Sequence, residues 1–313
     1  MRRIFVSAAL LLATALPAAA EAPKVVASIK PVHSIVAAVM QGVGEPQLVV
    51  KGAASPHTYA LKPSDARALQ DARLVFWVGP ELEGFLAKPL KVNATKARAV
   101  SLMGIPGLPL LETREGGAWE EDDHGHSHGH SHAHEHGHDD HEEHNAHIWL
   151  DPRNVRLMVG AVAETLAKAD PANAAAYSAN ATAYAARIDA LDAELERTLA
   201  PLRDRPFVVF HDAYPYLENR YDLNAVGAIT VNPERRPSAK RLKEIRAKIA
   251  GLDAACVFAE PQFEPALVNT IIEGTGARKG VLDPEGADIP DGPDLYPTLM
   301  RRNAAALVDC LKG

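Results

Sequence analysis

Imidazole is the reactive group this chain carries in excess. Fourteen histidines occur in 313 residues, and ten of them lie within twenty-one positions: His124, His126, His128, His130, His132, His134, His136, His138, His141 and His144. His33, His57, His147 and His211 stand apart from that cluster. A neutral imidazole nitrogen is a borderline-soft ligand suited to zinc, and three of them with one further position make a tetrahedral site. Two kinds of metal chemistry are therefore expected. In the cluster, a spacing of two residues lets many overlapping pairs grip an ion, but each capture must order the chain, so the cluster reads as a collector of moderate affinity.

The solitary histidines occupy a different kind of position. His57 in Ser55-Pro56-His57-Thr58-Tyr59, His147 in His147-Ile148-Trp149-Leu150-Asp151-Pro152 and His211 in Phe207-Val208-Val209-Phe210-His211-Asp212 each sit where a strand or loop gives way to a helix. In α/β folds the crevice at the carboxyl ends of the strands is where ligands bind. His211 follows four apolar strand residues and is expected to project from a strand end into that crevice. Taken singly, each of the three is more simply a hydrogen-bonded structural residue. His33, in Lys30-Pro31-Val32-His33-Ser34, is a weaker candidate, since a helix-start histidine explains it as well.

The elements that must position these side chains follow a βα alternation, the signature of parallel sheets. Strands are predicted at Lys24 to Ile29, Gln47 to Lys51, Arg73 to Val78 and Arg98 to Leu102, with helices at Pro31 to Gln41, Pro63 to Asp71 and Glu81 to Leu90. A second series has strands near Phe207 to Phe210, Ala225 to Ile229, Cys256 to Ala259 and Gly280 to Leu282. Its helices are Ser238 to Ala250, Pro265 to Glu273 and Leu295 to Leu311. Between the two series, Tyr177, Tyr184, Ile188, Leu191, Leu195, Leu199 and Leu202 form one apolar stripe. A helix of about 30 residues there would be ~45 Å long and act as a strut. The expected organisation is a signal peptide over 1–20, an α/β lobe over 21–169, a linking helix over 170–202 and a second α/β lobe over 203–313. The first lobe contains the histidine-rich acidic segment, about 112–145. That segment has no apolar periodicity and is expected to be disordered without metal.

Charge sharpens the picture. The net charge is −7, which argues against a nucleic-acid partner, since such a partner needs a basic face. From Glu112 to Asn145 eleven carboxylates face Arg114 alone, a segment charge of −10. Carboxylates beside the clustered histidines raise the local cation concentration within roughly 8 Å. Arg2 and Arg3 precede the apolar run Ile4 to Leu16 and the small residues Ala18-Ala19-Ala20, which reads as an export signal cleaved after Ala20. The run is too short to cross roughly 30 Å of hydrocarbon. In an oxidising compartment Cys256 and Cys310 are expected to be bridged, with two buried thiols as the alternative. Closing that loop of about 55 residues is worth ~4 kcal/mol in the chain-entropy treatment.

Four segments together make the chain recognisable. They are Ser55 to Asp65 (SPHTYALKPSD), Asn145 to Pro152 (NAHIWLDP), Phe210 to Tyr214 (FHDAY) and Phe258 to Phe263 (FAEPQF). Through them the chain resembles the ZnuA-type zinc-binding proteins of bacterial ABC importers, within the metal-binding cluster of substrate-binding proteins. The resemblance implies two (β/α)4 lobes joined by a rigid helix, with one Zn2+ in the cleft bound by His57, His147 and His211. It also implies a Cys256 to Cys310 disulfide. The corresponding function is a periplasmic, monomeric, non-enzymatic protein that captures zinc and delivers it to a membrane ABC permease.

One position departs from the family pattern. Some relatives have a carboxylate immediately before the first histidine, where Pro56 stands here, so the fourth ligand is open between Asp283, at another strand end, and a water. Glu260 is placed to orient a ligand, with a salt bridge to a basic neighbour as the alternative. Related manganese binders replace the third histidine with a carboxylate, and His211 in that place favours zinc. Two other readings are a binder of manganese or another divalent metal and a zinc hydrolase. Against the hydrolase, His141-Glu142-Glu143-His144 lacks the i, i+4 spacing of H-E-x-x-H.

Overall fold

The computed structural model describes residues 22–92, 94, 96–114, 144–230, 233, 238–251, 256–264 and 266–312. The expected export signal and nine of the clustered histidines, His124 to His141, lie outside the described residues.

Two four-stranded parallel sheets form the two lobes. The first comprises β1 (Val25–Ala27), β2 (Gln47–Leu48), β3 (Leu74–Trp77) and β4 (Arg98–Ser101), in the order β2-β1-β3-β4. The second comprises β5 (Phe207–His211), β6 (Ala225–Thr230), β7 (Cys256–Ala259) and β8 (Arg278–Val281), in the order β6-β5-β7-β8. Every pairing is parallel. In both sheets the chain winds one way, returns to the first strand and winds the other way, so the ligand crevice is expected outside the carboxyl ends of β1 and β3, and of β5 and β7.

The inner strands β1, β3, β5 and β7 are short and buried on both faces, as parallel strands covered by helices must be, whereas the edge strands β4 and β8 carry exposed polar residues. Helices α1 (Lys30–Val39), α2 (Pro63–Asp71) and α3 (Gly84–Val92) serve the first sheet, and α6 (Pro215–Tyr221), α7 (Ala239–Gly251), α8 (Ala266–Ile272) and α9 (Leu295–Lys312) the second. Proline at the start of α1, α2 and α6 sits where its missing N–H costs nothing. Gly280 in β8 is required by close packing: a Cβ there would meet the Phe258 ring at 2.4 Å.

Two helices lie between the sheets. α4 (Pro152–Ala169), which the sequence reading did not separate from its surroundings, is capped by Asp151, whose carboxylate accepts from the Arg153 backbone N–H at 2.8 Å. α5 (Ala174–Leu199) is the expected strut, 26 residues and therefore about 39 Å long. Its stripe Tyr177, Tyr184, Ile188, Leu191, Leu195 and Leu199 is buried throughout.

A single apolar cluster runs from Val25, Val26 and Phe76 through Trp149, Tyr177 and Tyr184 to Phe207, Phe258 and Tyr296, so one continuous core spans both lobes. Polar ties follow the same path. Tyr296 N–H donates to Ser34 Oγ at 3.0 Å, and Lys30 Nζ reaches the Ile289 carbonyl at 2.7 Å and Asp291 at 3.0 Å. The Cys256–Cys310 disulfide joins the start of β7 to α9. Packed interiors are not continuously deformable, so this shared core opposes large relative motion of the lobes.

Candidate metal centre

His211 is the last residue of β5, and its side chain enters the crevice as its strand position requires. His147 directly precedes a single 3-10 turn (Ile148–Leu150) that leads into α4. His57 lies on the loop between β2 and α2. That loop is braced by Asp65, whose Oδ2 accepts from Tyr59 Oη and from the Lys62 backbone N–H, both at 2.9 Å. The motif around His57 thus holds its own helix start as well as the histidine.

The three rings converge. Each offers one ligand nitrogen, and these lie within 4.8 Å of one another. His57 Nε2 stands 3.4 Å from His147 Nε2, and His211 Nε2 stands 3.1 Å from His147 Nε2. Two nitrogens bound to one tetrahedral zinc at about 2.05 Å are separated by roughly 3.3 Å, so the spacing matches that edge. His147 and His211 are buried and His57 is half-buried. Burial, with the neighbouring His211, pushes the His57 pKa down to about 3, and burial holds His147 well below the ordinary imidazole range. Both rings are neutral, and hence competent ligands, at neutral pH.

The tautomers are fixed from behind. His211 Nδ1–H donates to Glu260 Oε2 at 2.6 Å, so Glu260, directly after β7, orients the ring as one sequence reading anticipated. His147 Nδ1–H donates to Asn145 Oδ1 at 3.0 Å, and the His147 backbone N–H donates to the same oxygen at 3.0 Å. The Asn145 amide cannot be reversed, because its Nδ2 donates to the Asp212 carbonyl at 2.7 Å. With both Nδ1 atoms engaged from behind, the Nε2 atoms of His147 and His211 face each other across the crevice at 3.1 Å, on the side of each ring open to a shared ligand.

Asp283, the expected alternative to a water as fourth ligand, is not brought to this group. Its carboxylate accepts from Gln262 Nε2 and from the backbone N–H groups of Glu285, Gly286 and Ala287, at 2.6 to 2.9 Å. The turn after β8 therefore occupies the oxygens that a metal would need. His33 is also elsewhere, with Nε2 3.1 Å from the Pro46 carbonyl.

A cavity of about 570 Å³ opens onto the three histidines. Its walls include Glu81, Phe85, Thr113, His144 and Asp212. His144 is the one clustered histidine among the described residues. It pairs with Glu112 in an antiparallel bridge, and its Nδ1 is shielded without a hydrogen-bond partner. The sequence reading quoted Asn145 but assigned it no role; its only signal was an amide two residues before a candidate ligand.

The family described as "Zinc-uptake complex component A periplasmic" matches residues 25–310. A high-affinity zinc uptake system protein ZnuA of Brucella abortus (strain 2308) is 49% identical over 310 residues, covering 94% of this chain and 93% of that protein. The protein of the same description from Yersinia pestis is 37% identical over 314 residues, covering 100% of this chain and 98% of its own. Among solved structures, a crystal structure of ZnuA superposes with a TM-score of 0.74 at 26% identity, covering 91% of this chain and 99% of that one. The periplasmic zinc-binding protein TroA of Treponema pallidum has the same fold, with a TM-score of 0.77 at 22% identity over 93% of this chain and 99% of that one. Convergent histidines between two parallel-sheet lobes, a family match over nearly the whole chain and relatives of high identity lead to one conclusion: the chain belongs to the ZnuA family of periplasmic zinc-uptake components.

Proposed function

We propose that this protein captures Zn2+ in the periplasm through His57, His147 and His211 and delivers it to a membrane ABC permease, without performing chemistry on a substrate. The observation that carries the reading is the pair of locked tautomers. Two Nε2 atoms held facing each other, with a third histidine nitrogen within 4.8 Å, form a group that can hold one cation, and three imidazoles select zinc over harder ions. With Asp283 committed to its turn, a water completes the tetrahedron. Zinc is here the cargo.

Residues 1–20 are the export signal in this reading, and among the described residues no helix is long and apolar enough to cross a membrane. The clustered histidines collect ions in this reading, and His144, the member among the described residues, lines the cavity. A single core spanning both lobes argues that capture and release proceed without large hinge closure. The protein acts as a monomer. Competition titration of the mature chain against a zinc chelator, then against manganese, tests the proposal. One tight zinc that disappears in His57→Ala supports it; equal affinity for manganese, or a tight ion that survives loss of His57, overturns it.

A further inference from the structure

Arg114 is the lone cation among the eleven carboxylates of residues 112–145, and a free countercharge for that segment would be its simplest role. The structure gives it another. Its Nε donates to both Asp212 oxygens at 3.0 Å, while Nη1 and Nη2 donate to the two Glu218 oxygens at 2.8 and 3.0 Å. Nη2 also meets Asp212 Oδ1. Thus both edges of the guanidinium are spent on second-lobe carboxylates, whose side chains are only 1% and 10% exposed.

We propose that Arg114 is a positioning residue of the metal centre, which fixes the two buried ligands His211 and His147 through Asp212 and Asn145. The proposal rests on the reading of the three histidines as a zinc site. Asp212 is the next residue after His211, so its carboxylate anchors the end of β5 at the ligand. The Asp212 carbonyl receives the Asn145 amide at 2.7 Å, and the other end of that amide receives His147 Nδ1–H. Tyr216, on α6, closes the frame: its hydroxyl accepts from Leu111 N–H at 3.0 Å and donates to the Asn145 carbonyl at 2.9 Å. Leu111, Arg114 and Asn145 come from the first lobe's excursion, and Asp212, Tyr216 and Glu218 from the second lobe. The clamp therefore ties one ligand of each lobe to the other.

Electrostatics makes the role testable by sign. A guanidinium near a cation site repels the cation, so charge alone predicts that its removal tightens binding. Geometry predicts the reverse, because a residue that orients a ligand through its partners typically contributes 10- to 100-fold in metal affinity. Buried ion groups are also weak stabilising devices in themselves, since desolvation offsets their attraction. Lysine keeps the charge but lacks the planar fork that spans two carboxylates.

The test is zinc affinity of the full mature chain by chelator competition, with release rate by stopped flow and thermal melting in parallel, for Arg114→Met and Arg114→Lys. Positioning predicts that both weaken the tightest zinc about 10-fold and release it correspondingly faster. Tighter binding in Arg114→Met with wild-type behaviour in Arg114→Lys would overturn the proposal in favour of charge. Unchanged affinity with a lowered melting temperature would overturn it in favour of a purely structural clamp. If Arg114→Met does not fold, Arg114→Lys decides alone, and wild-type affinity there overturns the proposal. A wild-type chain with no tight zinc would instead defeat the functional reading itself.

Discussion

Replacing Glu260 with glutamine isolates what the carboxylate behind His211 contributes to the metal. Glu260 Oε2 lies 2.6 Å from His211 Nδ1, and the Glu260 side chain is fully shielded. An ion on Nε2, across the ring and about 2.1 Å beyond it, would lie roughly 6 Å from that carboxylate. At an effective dielectric of 20, a unit negative charge attracts a divalent cation at this distance by about 5 kcal/mol, which is an upper bound. Glutamine retains an oxygen that can accept from Nδ1–H, so the ring stays oriented while the unit charge is replaced by an amide dipole. The expected loss is 10- to 100-fold in zinc affinity, or about 1.4 to 2.7 kcal/mol. Chelator competition reads the affinity, and thermal unfolding at fixed free zinc reads the same quantity as a reduced zinc-dependent stabilisation. Affinity within twofold of wild type, or a loss of stability equal with and without zinc, would refute the argument that Glu260 acts on the metal through the imidazole.

Alanine at His57, His147 or His211 should weaken the tightest zinc by orders of magnitude in the same competition assay, whereas His33→Ala and Asp283→Asn should leave it within a few fold. Asp283→Asn should instead lower thermal stability by about 1 to 3 kcal/mol, because it weakens a turn whose backbone donors the carboxylate serves. Glu83 is buried, accepting from Val78 and Gly79 N–H at 3.1 and 2.9 Å, and burial raises its pKa to about 7. The folded state therefore holds a proton that the unfolded state releases near 4.5, so stability falls as pH rises from about 4.5 through about 7, by about 3 kcal/mol at full deprotonation. Denaturant titrations of Glu83→Gln across that window should show a flatter dependence than wild type. Reduction of the Cys256–Cys310 bridge, or its replacement by two alanines, should cost about 4 kcal/mol on the chain-entropy argument while zinc affinity stays unchanged.

Much of the fold was legible because its signals are local. Proline at N1 placed the start of α2, alternating short apolar runs placed all eight strands to within a few residues, and the stripe from Tyr177 to Leu199 placed α5. α4 was missed for a physical reason. Its apolar residues Val155, Met158, Val159, Val162 and Leu166 do follow a helical spacing, but its start signals Asp151 and Pro152 are shared with the segment His147 to Pro152, so helix cap and candidate ligand motif overlap in sequence. α6 is only seven residues long and too short to show a period. The convergence of the three histidines was legible because strand ends and a recognisable pattern of segments coincide there. It was not legible for Asp283, whose position at a strand end is equally that of a turn acceptor. Sequence cannot tell a carboxylate aimed at a cleft from one turned back on the next three amides.

The fold alone does not choose the metal. The same architecture, at 22% identity and a TM-score of 0.76, occurs in the FpvC binding protein of Pseudomonas aeruginosa solved with Mn2+. Selection must lie in the donor atoms and in how they are held. In the proposed site the three converging ligand atoms are nitrogen, the two buried rings are held from behind by Asn145 and Glu260, and three carboxylates around them are engaged: Glu260 by His211, Asp283 by backbone amides and Asp212 by Arg114. Among the described residues that wall the cavity Glu81 is the remaining carboxylate, so a hard cation would take its oxygen from Glu81 or from breaking one of those bonds. In the proposed reading, engaging these carboxylates belongs to zinc selection beside presenting imidazole, and it predicts that freeing one shifts preference toward manganese in the competition titration.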